Sequence, residues 1–502
     1  MTVSAPDIWG KTPPAVRRAL LGMALGGPGE LYLVGGTVRD WLLAREAADL
    51  DVSCAAPAHK VVDVLRRKLG GGTIVDLSAA EDETLRLVWR GFQVDVASFR
   101  AGTTSIEEDL CLRDFTVNAM AVALRGVAES YPPKVIDPAG GLSDLQKRCL
   151  RHCPGAFEAD PLRLLRGYRL AATLGFALDD ATRGAVADKA AMIKTVAAER
   201  VTMELRGIFA SPVTSATLKA MDRDRLLPHL FAELYLGQGI EQPGFHHLDV
   251  LGHSFLALAK MEEILAEAGR FFPGQKERLT EYLGDGRAAA RLKWAALLHD
   301  LGKPATQCLP PDNLGRVTFH RHDQEGERLF ARFAERSRWS REEGERVGCL
   351  IAMHMHPFHL CNVARGGRVS AKAILKLCRR AGRELVGLFL LAMADSLASL
   401  GTEKPPHMEE ELRELFDQVQ RLYVERIADA LHGPPLVTGR DLIDRFGLAP
   451  SPLFKEVLDE VTTARAEGKV VDRAGALDYV SEALARRSGG TGLTGFRLVK
   501  ES

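Results

Sequence analysis

The chain has 502 residues, 46% apolar and 26% charged, which is the balance of a folded protein and excludes a disordered one. Its 66 basic and 66 acidic residues cancel, so bulk charge announces no nucleic-acid or membrane partner, and any such partner must be met by local patches. No apolar run reaches the ~18 residues that span a bilayer, and the opening MTVSAPDIWGKTPP has neither a basic leader nor an apolar segment, so a cytoplasmic location without a membrane partner is expected.

Strand-like runs come early: LYLVGG, LDVSCAA, TIVDL, LRLVW, FQVDVASF and KVIDP, interleaved with two amphipathic helical pieces. Beyond about residue 150 they nearly vanish, and from RLLRGYRLAATLGF onward apolar residues recur at helical spacing. The pattern predicts an α+β chain, a sheet-containing head followed by a long helical body. FFPGQK, CLPPDNLG, GTEKPPH and LHGPPL divide that body, and RRSGGTGLTGF reads as a loose tail. At ~100–200 residues per domain the length fits three or four domains. Eight cysteines without a CxxC pair, the closest being Cys149 and Cys153, read as reduced thiols.

The first chemistry lies in LYLVGGTVRDWLLAREAADLDVS. Side chains two apart on a strand share a face, so Asp49 and Asp51 point together while Leu50 enters the core. Paired carboxylates suit Mg²⁺ beside substrate phosphates. Asp95 in FQVDVASF, whose neighbours Val94 and Val96 face the other way, offers a third acid. Gly35 and Gly36 let phosphates approach the backbone, and a helix starting near Thr37, with Arg39 and Asp40 in its first turn, aims free N–H groups at the same place. Singly, the glycines read as a turn and the acids as a solvated strand end; their order within one strand–turn–helix–strand unit is the specific feature.

With DLCLRDFTVNAMAV, VIDPAGGLSDLQ and DPLRLLRGYRLAATLGF, this segment resembles the class II tRNA nucleotidyltransferases and their bacterial poly(A) polymerase relatives, in order and spacing across about residues 30–210. The resemblance implies a polymerase-β-like head with a small mixed sheet. It also implies attack of an RNA 3′-hydroxyl on the α-phosphate of CTP or ATP, pyrophosphate leaving, with tRNA as partner. On the same basis Asp49 and Asp51 hold Mg²⁺ with Asp95 as third acid, Gly36 and Arg39 face the nucleotide, and Arg113, Asp114 and Asn118 contact its ribose and triphosphate. The ordinary reading of LRDFTVNAM is an amphipathic helix start capped by an Asp.

Base choice has a physical account in DPLRLLR. Asp160 and Arg163, at i and i+3, would lie side by side on a helix as an acceptor beside a donor fork. Cytosine and adenine present an amine donor next to a ring-nitrogen acceptor, whereas uracil and guanine present a carbonyl next to an N–H. The resemblance gives base selection to the same two positions, with Arg166 supporting the pair or the triphosphate; the ordinary reading is a surface ion pair. Leu112 stands where the family commonly has a second arginine, and Ala159 where it has a glutamate. AGTTSIEE is much shorter than the loop that complete CCA-adding members carry there, a loss associated with adding CC alone. Complete CCA addition is the expectation, with CC-only addition and poly(A) synthesis as alternatives.

Farther along, HHLDVLGHSF, ALLHDLGKPAT, FHRHDQEG, AMHMHP and MADSLASL supply His253, His299, Asp300, His322, His354 and Asp395. The set resembles an HD domain, implying a phosphohydrolase that acts on 2′,3′-cyclic phosphates or 2′-phosphates. Imidazoles with carboxylates suit a divalent transition metal, Mg²⁺ being the other choice; a single histidine would ordinarily be a packing residue. In SAKAILKLCRRAGRE, Ser370 caps a helix, and Arg368, Lys372, Lys376, Arg379 and Arg383 step along one side, as an RNA contact or as a solvated face. LVTGRDLIDRFGLAPSPLFKEVLDEVTTARAEGKVV resembles the family's tRNA-gripping tail. The expected domains are a head over 1–150, a helical neck over 151–215, an HD domain over 216–430 and a C-terminal helical domain over 431–502. No protein partner is expected. The intact DLD pair argues against a pure HD hydrolase, and two sets of metal ligands argue against a noncatalytic RNA scaffold.

Overall fold

A computed structural model describes residues 8–26, 29–46, 49–78, 83–129, 133–242, 244–309 and 317–488. The GGTGLTGF stretch of the tail and most of the CLPPDNLG break lie outside the described residues. The chain forms two compact units that divide between Phe231 and Ala232.

The first unit carries helix α1 (Pro14–Gly26) and a seven-stranded sheet: β1 (Leu31–Val34), β2 (Leu50–Cys54), β3 (Thr73–Asp76), β4 (Thr84–Trp89), β5 (Phe92–Ser98), β6 (Ala121–Ala123) and β7 (Val135–Ile136). Strand order is β3-β4-β5-β2-β1-β6-β7, with β2 and β5 parallel and the other neighbours antiparallel, so the expected mixed sheet forms. Each of the six apolar runs becomes a strand. β6 was not anticipated: in TVNAMAVALRG a short 3-10 turn over Thr116–Asn118 precedes it instead of a capped helix. Arg90 and Gly91, both at positive φ, close the β4–β5 hairpin in two residues, which sets Trp89 opposite Phe92 and fixes every pair behind them.

Helix α2 (Gly35–Leu42) follows β1 directly and is succeeded by α3 (Ala58–Lys68), α4 (Ile106–Cys111), α5 (Leu124–Glu129) and α6 (Gly141–Gln146). Because α2 begins at Gly35 and not near Thr37, Arg39 and Asp40 fall in its second turn, a correction to the sequence reading. The unit continues through β8 (Cys149–Leu150), α7 (Ala156–Ala159), α8 (Leu162–Leu174), β9 (Ala177–Leu178), α9 (Asp180–Lys189), a 3-10 turn over Ala190–Thr195, α10 (Ala198–Ala210), α11 (Thr214–Arg223) and a last short helix over Leu227–Leu230. Leu164, Leu165, Tyr168 and Leu170 give α8 its buried face, at roughly 1.5–3 kcal/mol for each large apolar side chain. Tyr168 donates to Asp224 at 2.7 Å, and Arg183 Nη2 donates to the same carboxylate at 2.8 Å, tying α8, α9 and α11 together.

The second unit is helical throughout its described residues, apart from a bridge between Cys308 and Thr318. Helices Val250–Ala266, Ala288–Leu298, His322–Arg336, Arg341–Met353 and Leu385–Ala398 hold its centre. The last of these is apolar on nearly every side and correspondingly buried. Toward the C-terminus, Val437, Leu442, Val457, Val461 and Val480 form a separate apolar cluster, entered through a capping box of Thr438 and Asp441. All eight cysteines are free thiols. Among the described residues no helix is long and apolar enough to cross a membrane.

Candidate active sites

Asp49 immediately precedes β2, and Asp51 is its second residue. The parallel register sets Asp95 of β5 beside Asp51, while Val94 and Val96, 1% and 0% exposed, turn to the opposite face. Burial pushes the Asp51 carboxyl up to about 6, the Asp49 charge adding to it and Arg113 opposing it. Asp49 is also raised, by burial and then by Asp95. Three mutually repelling carboxylates in one desolvated corner are the donor set a hard divalent cation neutralises. The glycines leave the corner open: a Cβ on Gly35 (φ +62°) would meet Arg113 Nη1 at 3.0 Å and Asp51 Oδ2 at 3.3 Å. The Asp51 N–H donates to Thr37 Oγ1 at 2.8 Å, which pins α2 to β2.

One residue absent from the sequence reading belongs to this corner. Arg86 lies directly across from Asp95 in the β4–β5 ladder, and its Nε and Nη2 donate to the two Asp95 oxygens at 2.7 and 2.8 Å. The two-residue Arg90-Gly91 turn was the signal that could have found it, since it pairs residues equidistant from the loop.

Around the acids the expected cations converge through shared partners. Arg39 Nη1 donates to Asn118 Oδ1 at 2.8 Å, Asn118 Nδ2 donates to Asp114 Oδ1 at 3.1 Å, and Arg166 Nε stands 2.8 Å from Asp114 Oδ2. Arg113 is anchored by the fully buried Asp109 at 3.2 Å, which Arg100 also holds at 3.0 Å; burial and the Arg100 charge push Arg113 down to about 10. Sequence reasoning missed Asp109 and Arg100, which are plain residues of a loop and a helix until the fold stacks them.

The base-recognition pair is arranged differently from the expectation. Asp160 sits outside α8 in extended backbone (φ −150°), because Pro161 follows it and excludes the helical conformation from the preceding residue. Its carboxylate is held by Arg200, at 3.2 and 2.7 Å. Arg163 Nη1 donates to the carbonyls of Leu112, Arg113 and Ala156 at 3.1, 3.3 and 3.3 Å. The two side chains do not pair with each other, each being engaged by other partners. Leu112 is 38% exposed, and Ala159 ends α7.

In the second unit the six expected ligands come together, each less than a tenth exposed. Asp249 caps the Val250–Ala266 helix and orients its first turn, which carries His253. His299 follows Leu298, His322 opens its helix, His354 follows Met353, and Asp395 lies in the last turn of the Leu385–Ala398 helix. The Nε2 atoms of His253 and His299 are 3.2 Å apart and those of His322 and His354 3.0 Å apart. Asp300 joins the pairs, Oδ2 lying 3.2 Å from His299 and Oδ1 3.4 Å from His322, while Asp395 Oδ1 lies 3.0 Å from His253. The Nδ1 atoms of His299, His322 and His354 lie 3.0, 2.8 and 2.7 Å from carbonyls three residues back; donating there keeps each Nε2 free as a lone-pair donor. Neither Asp300 oxygen finds a hydrogen bond of ordinary geometry, although Lys303 Nζ approaches Oδ2 to 2.7 Å. Buried imidazoles around an unsatisfied carboxylate fit a metal centre, and among the described residues three overlapping triads of these side chains can hold an ion.

Gly302 admits this packing: a Cβ there would fall 2.1 Å from the His322 carbonyl oxygen. His246, unremarked within HHLDVLGH, sits 3.3 Å from His253 Nδ1 and 3.1 Å from Ser399 Oγ and supports that ligand from behind; burial, with Lys303 next, pushes it down to about 2. Ser370 caps its helix as expected, accepting from Ala373 N. Arg368, Lys372, Lys376, Arg379 and Arg383 are exposed, but Arg368 precedes and Arg383 follows the Ala371–Ala381 helix, and Arg379 is paired with Asp459 at 3.0 Å.

These arrangements agree with comparisons to known proteins. Residues 31–151 match the family described as "Poly A polymerase head domain", residues 175–236 "Probable RNA and SrmB- binding site of polymerase A", and residues 250–385 "HD domain". The A-adding tRNA nucleotidyltransferase of Deinococcus radiodurans is 34% identical over 451 residues, 87% of this chain and 92% of that one. The CC-adding tRNA nucleotidyltransferase of Thermus thermophilus is 31% identical over 454 residues, 88% and 91% of the two chains. In fold, the Bacillus stearothermophilus CCA-adding enzyme in complex with CTP aligns with a TM-score of 0.61 at 21% identity, over 95% of this chain and 100% of that one. A mixed-sheet head with clustered acids, followed along the chain by a helical unit whose His/Asp cluster could hold a metal, defines a nucleotidyltransferase that carries an HD domain. The chain belongs to the class II tRNA nucleotidyltransferase family.

Proposed function

We propose that this tRNA nucleotidyltransferase adds both C and A to the tRNA 3′ end from CTP and ATP without a nucleic-acid template, releasing pyrophosphate, and that its HD site is a second, metal-dependent phosphohydrolase. The observation that carries the first reading is the acid corner: Asp49 and Asp51 beside the Gly35–Gly36 opening, with Asp95 in register and clamped by Arg86. Asp49 and Asp51 hold Mg²⁺, which supplies charge neutralisation at the reacting phosphate. Arg39, Arg113 and Arg166 carry the charge that receives the triphosphate, and the Asn118–Asp114 bridge keeps Arg39 and Arg166 aimed at it. Asp160 accepts from the base's exocyclic amine while Arg163 donates to its ring nitrogen. Because both are engaged with Arg200 and with backbone carbonyls beforehand, an incoming base must replace those bonds, and only C and A can do so on both sides. A uracil or guanine would leave a carboxylate facing a carbonyl, a cost of about 1–3 kcal/mol.

In the HD site His253, His299, Asp300, His322, His354 and Asp395 are the ligands of one or two divalent transition-metal or Mg²⁺ ions, which add Lewis acidity toward a phosphate. Two are favoured by the division of Asp300, one oxygen toward His253 and His299 and the other toward His322 and His354. Water adds to phosphorus of a 2′,3′-cyclic phosphate or 2′-phosphate, the ester P–O bond breaks, and the departing oxygen leaves as a hydroxyl. Residues 1–150 serve as head, 151–215 as neck, 216–430 as HD domain and 431–502 as tRNA grip.

CC-only addition is the second reading, supported by the short connection in which a 3-10 turn over Arg100–Gly102 runs almost directly into α4. The test is incubation with tRNA transcripts lacking CCA, CA or A, each with labelled CTP or ATP. Complete restoration of all three supports the proposal, arrest after two cytidines supports the second reading, long adenosine tracts indicate poly(A) synthesis, and no incorporation contradicts all of them.

A further inference from the structure

The HD ligands open into a cavity of about 1020 Å³ whose cationic lining is mostly neutralised from within the protein. Arg365 is clamped by Glu411 through Nε at 2.8 Å and Nη2 at 2.6 Å, Lys404 Nζ is paired with Glu409, and Lys303 faces Asp300 at 2.7 Å. Arg321 and Arg380 also line the cavity, are exposed, and are paired with no carboxylate among the described residues; of the two, Arg380 is aimed by a neighbour, its Nη1 donating to an imidazole, His356 Nε2, at 2.8 Å.

An imidazole that accepts at Nε2 is neutral and carries its proton on Nδ1. The contact thus aims the guanidinium without cancelling its charge, and four of its five N–H donors remain for a ligand. His356 lies two residues beyond the metal ligand His354, a stretch of chain spanning at most about 7 Å. Phe245, 46% exposed, lines the same cavity beside His246 and offers a flat apolar face.

We propose that Arg380, aimed by His356, is a second anion contact of the HD cavity, receiving a phosphate ester one nucleoside away from the phosphate at the metal ligands. The ligand class is a nucleoside carrying phosphates at both of its ends: the terminal nucleotide of an RNA strand, or a mononucleotide with a separate 5′-phosphate. The inference rests on the reading of the HD site as a phosphohydrolase.

The full chain loaded with Mn²⁺ tests it on three substrates: adenosine 2′,3′-cyclic phosphate, the same nucleotide bearing a 5′-phosphate, and an RNA trinucleotide ending in a 2′,3′-cyclic phosphate. Arg380→Gln should raise KM about tenfold on substrates with the second phosphate, as loss of a charge-assisted hydrogen bond does, with kcat nearly unchanged. The plain cyclic mononucleotide should be unaffected, Arg380→Lys should recover part of the loss, and unchanged Mn²⁺ content certifies the fold. An effect on both extended substrates, or on the trinucleotide alone, supports the contact and tells the two phosphate sources apart. Equal loss on all three substrates, or on none, overturns it. If the unsubstituted protein hydrolyses none of them, the phosphohydrolase reading itself falls, and this contact with it.

Discussion

Replacing Asp51 with asparagine should stabilise the metal-free head while abolishing nucleotide incorporation. Burial, reinforced by Asp49, raises the Asp51 carboxyl from 3.8 to about 6, a difference worth about 3 kcal/mol at 1.36 kcal/mol per pKa unit. A carboxyl raised by folding binds its proton more tightly in the native state, so ionising it costs stability; the cost is full above about pH 6 and gone below 3.8. The side chain is half-buried and an amide needs partners of its own, which brings the expected gain to about 1–2 kcal/mol. Hydrogen exchange of peptides covering β1, α2 and β2, measured in EDTA at neutral pH, reads this locally, and opening should slow roughly 5- to 30-fold in Asp51→Asn. The advantage should shrink as pH falls through 6 and vanish near 4, and Mg²⁺ should slow exchange in the unsubstituted protein only. Faster exchange in Asp51→Asn at neutral pH, or equal protection by Mg²⁺ in both proteins, would refute the reasoning.

Three further outcomes follow from the same contacts. Arg86→Met removes both bonds to Asp95 and should lower the incorporation rate about tenfold or more, with partial rescue by Arg86→Lys; full activity in single-turnover assays would mean that Asp95 needs no partner. Metal analysis of the chain after Mn²⁺ loading should show His354→Gln losing about one equivalent and Asp300→Asn about two relative to the unsubstituted protein, since Asp300 is common to both histidine pairs. Lys372→Gln with Lys376→Gln should flatten the salt dependence of tRNA binding by one to two counterions, whereas Arg379→Gln should change it less, its charge being already paired with Asp459.

Local chemistry was legible in the sequence, and lateral chemistry was not. The β1–α2–β2 unit could be read because its apolar runs, its paired glycines and Asp49-Leu50-Asp51 are contiguous, and the HD histidines because each sits in a distinctive short motif at a helix end. Arg86 with Asp95, Arg100 and Arg113 with Asp109, and Asp160 with Arg200 are contacts between elements, invisible to periodicity until strand register and helix packing exist. Asp160 was misplaced onto a helix because the i, i+3 spacing was given more weight than the proline beside it. Ala121–Ala123 carries no strand signal of its own in the sequence, and pairing with β1 is what makes it a strand.

The most direct test of two independent metal-dependent sites is a pair of reciprocal substitutions assayed for both chemistries in the same preparations. Asp49→Ala should abolish CTP and ATP incorporation into tRNA and leave hydrolysis of a 2′,3′-cyclic nucleotide intact, and Asp300→Ala should do the reverse. Loss of both activities in either protein, or retention of incorporation in Asp49→Ala, would contradict the account.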